Sequence, residues 1–204
     1  SELKAIWEPG SKIQRWSQIR QGWPNQPLRL YGAGADSGTF DYFTEAIVGK
    51  AKAIRTDYQP TEDDNVTIKG VAGDTYAMGF LGYAYYEENK DKVKAVAIDH
   101  GKGCVLPSRE TVLDGTYQPL SRPLFIYVNV KSLDRPEVQA FVDFYLSPAA
   151  RRAIRSTGYV ELPSEAYRIG QELVKRRKAG TFFMELPAGT PLSKFIQELD
   201  KELR

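Results

Sequence analysis

The chain has 204 residues and a mass of 23.0 kDa, enough for one large or two small cores. With 42% hydrophobic and 26% charged residues, 17 Gly and 12 Pro, it has ordinary globular composition, which excludes a fibrous repeat or a disordered chain. The 28 Lys and Arg against 26 Asp and Glu leave a formal charge of only +2; the one basic run, Lys175 to Lys178, reads as a solvated helix end, so no nucleic-acid partner is expected.

The chain alternates short apolar strand-like runs with amphipathic helical patterns, an α/β signature. Leu3 to Trp7 fits a helix ending before Pro9-Gly10, and Trp16 to Pro27 is a loop rich in turn formers and aromatics. Leu28 to Tyr31 reads as a strand, followed by the glycine-broken stretch Gly32 to Gly38. From Thr39 a helix is expected, with Phe40, Phe43 and Ile47 at spacings of three and four. Thr61-Glu62-Asp63-Asp64 is close to a capping box and predicts a helix running to about Gly73. Ala77 to Tyr86 reads as a buried strand passing into a helix, and Lys94 to Ile98 as another strand. Leu124 to Val130, apolar or aromatic except at Asn129, is the strongest strand signal in the chain.

The remainder reads as helical. Glu137 to Leu146 places Val138, Phe141, Val142 and Tyr145 on one face; Pro148 opens a second helix that Gly158 closes. Ser164 caps a third helix ending at Gly180, and Leu192 to Leu203 has helical apolar spacing. Composition shifts at Asp114 to Pro123, which sets the domain boundary there.

Nucleophilic and metal chemistry have little to work with. The single Cys104 excludes an intrachain disulfide and a multi-cysteine metal site, and the single His100 leaves any Ser-His-Asp triad one residue to run through. No run of about 18 apolar residues is present to span a membrane, and the opening Ser1-Glu2-Leu3-Lys4 has neither a signal-peptide core nor a start Met, the reading of a processed or trimmed chain. The sharpest local feature is Asp36-Ser37-Gly38-Thr39 at a strand-to-helix turn, where hydroxyls and helix N-terminal amides can offer donors to a tetrahedral oxyanion. The same local pattern fits equally well a Ser37 that merely caps the helix. The spacing matches neither a P-loop nor a Gly-x-Ser-x-Gly nucleophile elbow.

The wider sequence adds a resemblance. Trp7-Glu8-Pro9-Gly10, Trp16-Ser17, Tyr31-Gly32-Ala33-Gly34, Asp36-Ser37-Gly38-Thr39-Phe40-Asp41-Tyr42-Phe43, Glu62-Asp63-Asp64-Asn65 and Tyr117 to Phe125 occur in an order that resembles the phosphate-binding proteins of bacterial phosphate ABC importers, in their cyanobacterial-type branch. The resemblance covers essentially the whole chain. It implies a periplasmic-binding-protein fold of the type II, two-lobe clam-shell kind, with residues 1–121 as the second lobe and residues 122–204 as the returning part of the first. The opening segment of the first lobe, which in the family supplies a second phosphate loop, has no counterpart here, so the chain is expected to be N-terminally truncated.

The same resemblance implies noncovalent binding of inorganic phosphate, no enzymatic activity and no cofactor. It also implies a membrane permease as partner, a monomeric full-length protein and a periplasmic or cell-surface location. Ser37, Gly38 and Thr39 match the family's phosphate loop. Where many relatives place an Arg just upstream, this chain has Ala33 to Ala35, and Arg55 is the replacement candidate, with a solvated charge as the competing reading. Asp36 and Asp64 are the acids available to accept the P–OH proton that distinguishes hydrogen phosphate from sulfate, though either also fits as a cap; Asn65 matches a family Asn able to donate an amide. The competing function is a binding-protein-like interaction module without a competent phosphate site. Tyr42, Phe43, Tyr83, Tyr85 and Tyr86 are expected to be packing residues.

Overall fold

A computed structural model describes residues 2–181 and 186–204. The chain divides into two compact units, Ser1–Val96 and Ala97–Arg204. The division expected at 121/122 therefore falls inside the second unit. One reason is visible in the side chains: Arg109 pairs with Glu161, tying the early part of that unit to its helical part.

The first unit is a small doubly wound layer. Helix α1 (Glu2–Trp7) precedes the loop, which holds a 3-10 turn at Trp16–Gln18. Strand β1 (Arg29–Ala33) leads into α2 (Gly38–Phe43), which continues as a π-helical turn, Thr44–Val48, ended by Gly49 at φ 95°. Strand β2 (Gln59–Thr61), α3 (Asp64–Ala72), β3 (Ala77–Phe80) and α4 (Tyr83–Glu88) follow. The strands are parallel in the order β2-β1-β3, with Ala33 opposite Thr61 and Gly32 opposite Phe80. Parallel neighbours require crossovers, and the helices between the strands supply them.

This unit's core is aromatic. Trp7 is buried edge-on to Phe80 at 5.1 Å and Phe43 at 5.5 Å, and Phe43 stacks on Phe80 at 4.0 Å. Phe43 is thus a packing residue, as expected. Gly32 makes the stack possible, because a Cβ there would stand 2.3 Å from the Phe80 ring.

Three local expectations change. The cap of α3 is Asp63, whose carboxylate accepts from the Asn65 N–H at 2.9 Å; Thr61 acts earlier, its hydroxyl accepting from the Asp63 N–H at 3.1 Å. Helix α8 (Ser164–Lys175) stops short of Gly180 because Arg177 turns to φ 51°. The expected strand at Lys94 to Ile98 shrinks to a hairpin of two-residue strands, β4 (Ile98–Asp99) and β5 (Cys104–Val105).

The second unit is otherwise helical: α5 (Arg109–Leu113), α6 (Pro136–Tyr145), α7 (Pro148–Ser156), α8 and α9 (Leu192–Lys201). Ser147 caps α7, and Gly158 follows it at φ 77°, as the pattern requires. Val142, Ala150, Tyr167, Ile169 and Leu173 form its core with Leu133 and Ile98. The largest departure is Leu124 to Val130. It is not a strand: among the described residues no ladder forms along it, and the chain enters a 3-10 turn at Val130–Asp134. Strand propensity needs a neighbouring strand to be expressed.

Candidate anion-binding loop

Strands β1, β2 and β3 run the same way, so their C-terminal ends open on one edge, each followed by a helix N-terminus. The chain leaves the central strand β1 for β2 on one side and then crosses from β2 back past β1 to β3 on the other. The C-terminal end of β1 is therefore a topological switch point, the place where open α/β sheets hold ligands. Asp36, Ser37, Gly38 and Thr39 occupy it.

The loop is held by its neighbours. Gly34 N–H donates to the Thr61 carbonyl at 3.0 Å and Ser37 N–H to the Gly34 carbonyl at 3.1 Å. The Tyr58 hydroxyl donates to the Ala33 carbonyl at 3.0 Å, and burial together with the nearby Glu62 charge pushes its pKa up. Ser37 sits extended (φ −94°, ψ 130°) as the N-cap of α2, its Oγ accepting from the Thr39 N–H at 3.1 Å. Ser37 and Thr39 are half-buried and Gly38 is exposed. A hydroxyl has two acceptor sites and one O–H donor, so a Ser37 that caps the helix keeps its proton to give. Capping and anion binding are compatible here.

The expected residues distribute unevenly. Asp36 is exposed on the loop, with its N–H 3.4 Å from Glu62 Oε1. Asp64, at the start of α3, accepts from the Gly82 N–H at 3.4 Å. Asn65 turns its side-chain amide onto Asp63 Oδ1 at 3.0 Å. These contacts join the ends of β1, β2 and β3 into one rim.

Arg55 is not part of that rim. It precedes β2, whereas the loop follows β1, and it is 3% exposed. Its guanidinium is bonded to both Asp57 oxygens, at 2.5 and 2.8 Å, and to the carbonyls of Ile6 and Ile13, at 3.0 and 2.8 Å. The Arg55 guanidinium, with help from Gln14, holds the Asp57 carboxyl well below the usual carboxylate range. A guanidinium so engaged is a structural tie between α1, the loop after it and the approach to β2.

Glu62 has a place on the rim that its motif alone did not assign. Its carboxylate lies over Gly34, where a Cβ would stand 2.0 Å from Oε1. The available signal was the pairing of a glycine-broken turn with an acid at the end of the next strand. No group of three His, Cys, Asp or Glu able to hold a metal occurs among the described residues.

The loop at the switch point thus presents hydroxyls and backbone amides, and the comparisons agree with the fold. The PBP superfamily domain matches residues 1–149, and the chain belongs to that superfamily. It is 50% identical to the protein SphX of Synechocystis over 95% of this chain and 60% of that protein. It is 34% identical to the phosphate-binding protein PstS of Staphylococcus haemolyticus over 82% of this chain and 51% of that one. The crystal structure of a possible phosphate binding protein from Planctomyces limnophilus superposes with a TM-score of 0.73 at 44% identity, covering 87% of this chain and 63% of that one. The chain thus spans between about half and two thirds of the length of these relatives.

Proposed function

We propose that the chain binds inorganic phosphate noncovalently through Ser37, Gly38 and Thr39, as part of the solute-binding component of an ABC-type phosphate importer. The observation that carries this reading is the Ser-Gly-Thr loop at the switch point of the sheet, in a chain whose relatives include a protein named for phosphate binding. Phosphate oxygens accept from the Ser37 and Thr39 hydroxyls and from amides in the first turn of α2, which have no intrahelical acceptor. Binding requires no bond making or breaking, so the reading is of a carrier rather than an enzyme. It has a membrane permease as partner and a periplasmic or cell-surface location.

Asp36 is the acid proposed to accept the P–OH hydrogen bond, since Asp64 is engaged by the Gly82 N–H. Sulfate, which has no such proton, would then meet an uncompensated like charge.

Heating the chain with and without phosphate tests the loop. A ligand that binds only the native state raises its stability, so phosphate should raise the Tm of the unaltered chain and leave that of a Ser37→Ala, Thr39→Ala double variant unmoved. Equal protection of both proteins would move the site elsewhere.

A further inference from the structure

The helix that begins at the Ser37 cap carries an irregularity that the loop itself does not require. After Phe43 the backbone winds into the π-helical turn Thr44–Val48, Gly49 ends it at φ 95°, and Lys52 then takes φ 65° although it bears a side chain. Left-handed backbone costs a non-glycine residue free energy, and it persists where the surroundings hold it. Here the holder is Thr44. It is fully buried, and its hydroxyl donates to the Phe40 carbonyl at 2.9 Å and accepts from the Lys52 N–H at 2.8 Å. Thr44 thus fixes the backbone of Lys52 against the flank of α2.

From that anchor the lysine side chain reaches Asp41. Its Nζ lies 4.0 Å from Asp41 Oδ1, an oxygen that is buried and accepts no hydrogen bond, while the lysine side chain is 65% exposed. Asp41 belongs to the first turn of α2, and its N–H donates to the Ser37 carbonyl at 3.2 Å, so it stands one turn below the cap. Side chains on a helix lean towards its N-terminus, which aims Asp41, and the ammonium beside it, at the Ser37–Thr39 end. One turn is about 5.4 Å, a range over which a surface charge still acts on an anion.

We infer that Lys52 supplies the positive charge of the oxyanion site, acting across the first turn of α2 through its field, and that Asp41 holds the ammonium in place when no anion is bound. This role rests on the reading of Ser37, Gly38 and Thr39 as a phosphate loop, and adds to it the cation that Ala33 to Ala35 and the engaged Arg55 do not provide. An exposed ion pair is weak, so little is lost when the ammonium turns from Asp41 towards an anion. A compact point charge draws phosphate and sulfate alike: Lys52 raises the affinity for both and leaves the choice between them to the hydrogen bonds of the loop.

Calorimetric titration with phosphate and with sulfate at about 50 mM and about 300 mM sodium chloride tests this on the unaltered chain and on single variants at Lys52. Lys52→Gln removes the charge and keeps the backbone bond to Thr44. It should bind phosphate about tenfold more weakly at the lower salt, with less salt dependence than the parent and an unchanged ratio of phosphate to sulfate affinity. Lys52→Arg, which keeps a charge, should bind within about twofold of the parent. Glycine takes φ 65° without strain, so Lys52→Gly should unfold at a higher denaturant concentration than the parent and still bind as weakly as Lys52→Gln. Equal phosphate affinity and salt dependence in the parent and Lys52→Gln overturn the role of Lys52 and leave the loop standing. No phosphate binding by the parent overturns the reading of the loop and the role of Lys52 with it.

Discussion

At the residue scale, Ser37 and Arg55 show why a motif and a lone charge differ in what they reveal. Ser37 was legible because its role is local: a strand end, a glycine and a helix start lie within four residues, and the structure places its hydroxyl on the Thr39 N–H. Ser37→Ala should cost about 1 kcal/mol in denaturant unfolding, the usual cost of a lost cap. Arg55 was not legible, because its partners are Ile6 and Ile13, more than 40 residues away in sequence, as well as Asp57. Removing Asp57 takes the carboxylate from a buried guanidinium that keeps its bonds to the Ile6 and Ile13 carbonyls, so Asp57→Ala should destabilise by about 1.5 kcal/mol, the scale of a hydrogen bond to a charged group. The pH dependence has a definite sign. The Asp57 carboxyl is depressed in the folded state, so its contribution is complete above its unfolded value of about 4 and fades as pH falls below it. An Asp57→Asn variant should therefore be less stable than the parent at neutral pH and lose less of its stability between about pH 4 and pH 2. Parallel acid titrations of the two proteins would show another source of acid sensitivity.

At the element scale, the helices are legible in both units, whereas among the strands β1 and β3 are legible and the others are not. Strands β1 and β3 follow from short apolar runs bounded by turn formers, β2 (Gln59–Thr61) has no such run and carries no strand signal, and each helix of the first unit begins within a few residues of its expected start. Gly32 shows how closely these elements meet. A Gly32→Ala variant drives a methyl group into the Phe80 ring and should destabilise by about 2 kcal/mol, the scale of core overpacking, in chemical denaturation. A neutral result would mean that the Trp7, Phe43 and Phe80 cluster repacks freely. Leu124 to Val130 failed for a physical reason: its β-branched and aromatic content describes a surface that wants covering on two sides, and a strand forms only where a neighbouring strand is present. The α3 cap moved from Thr61 to Asp63 because the hydroxyl of Thr61 is occupied one step earlier, on the Asp63 N–H.

At the scale of the whole molecule, charge and composition narrowed the function less than topology did. A formal charge of +2 favours no particular partner, and with Ala33 to Ala35 in place of an Arg and Arg55 tied elsewhere, the donors of the proposed anion site are hydroxyls and amides. Such a site is selective by hydrogen-bond pattern rather than by net positive charge.

The most direct measurement is calorimetric titration of the 204-residue chain with phosphate and, separately, with sulfate in phosphate-free buffer. The account predicts saturable phosphate binding with sulfate at least about tenfold weaker, a difference of about 1.4 kcal/mol. No phosphate binding by the folded chain, or equal affinity for the two anions, would contradict it.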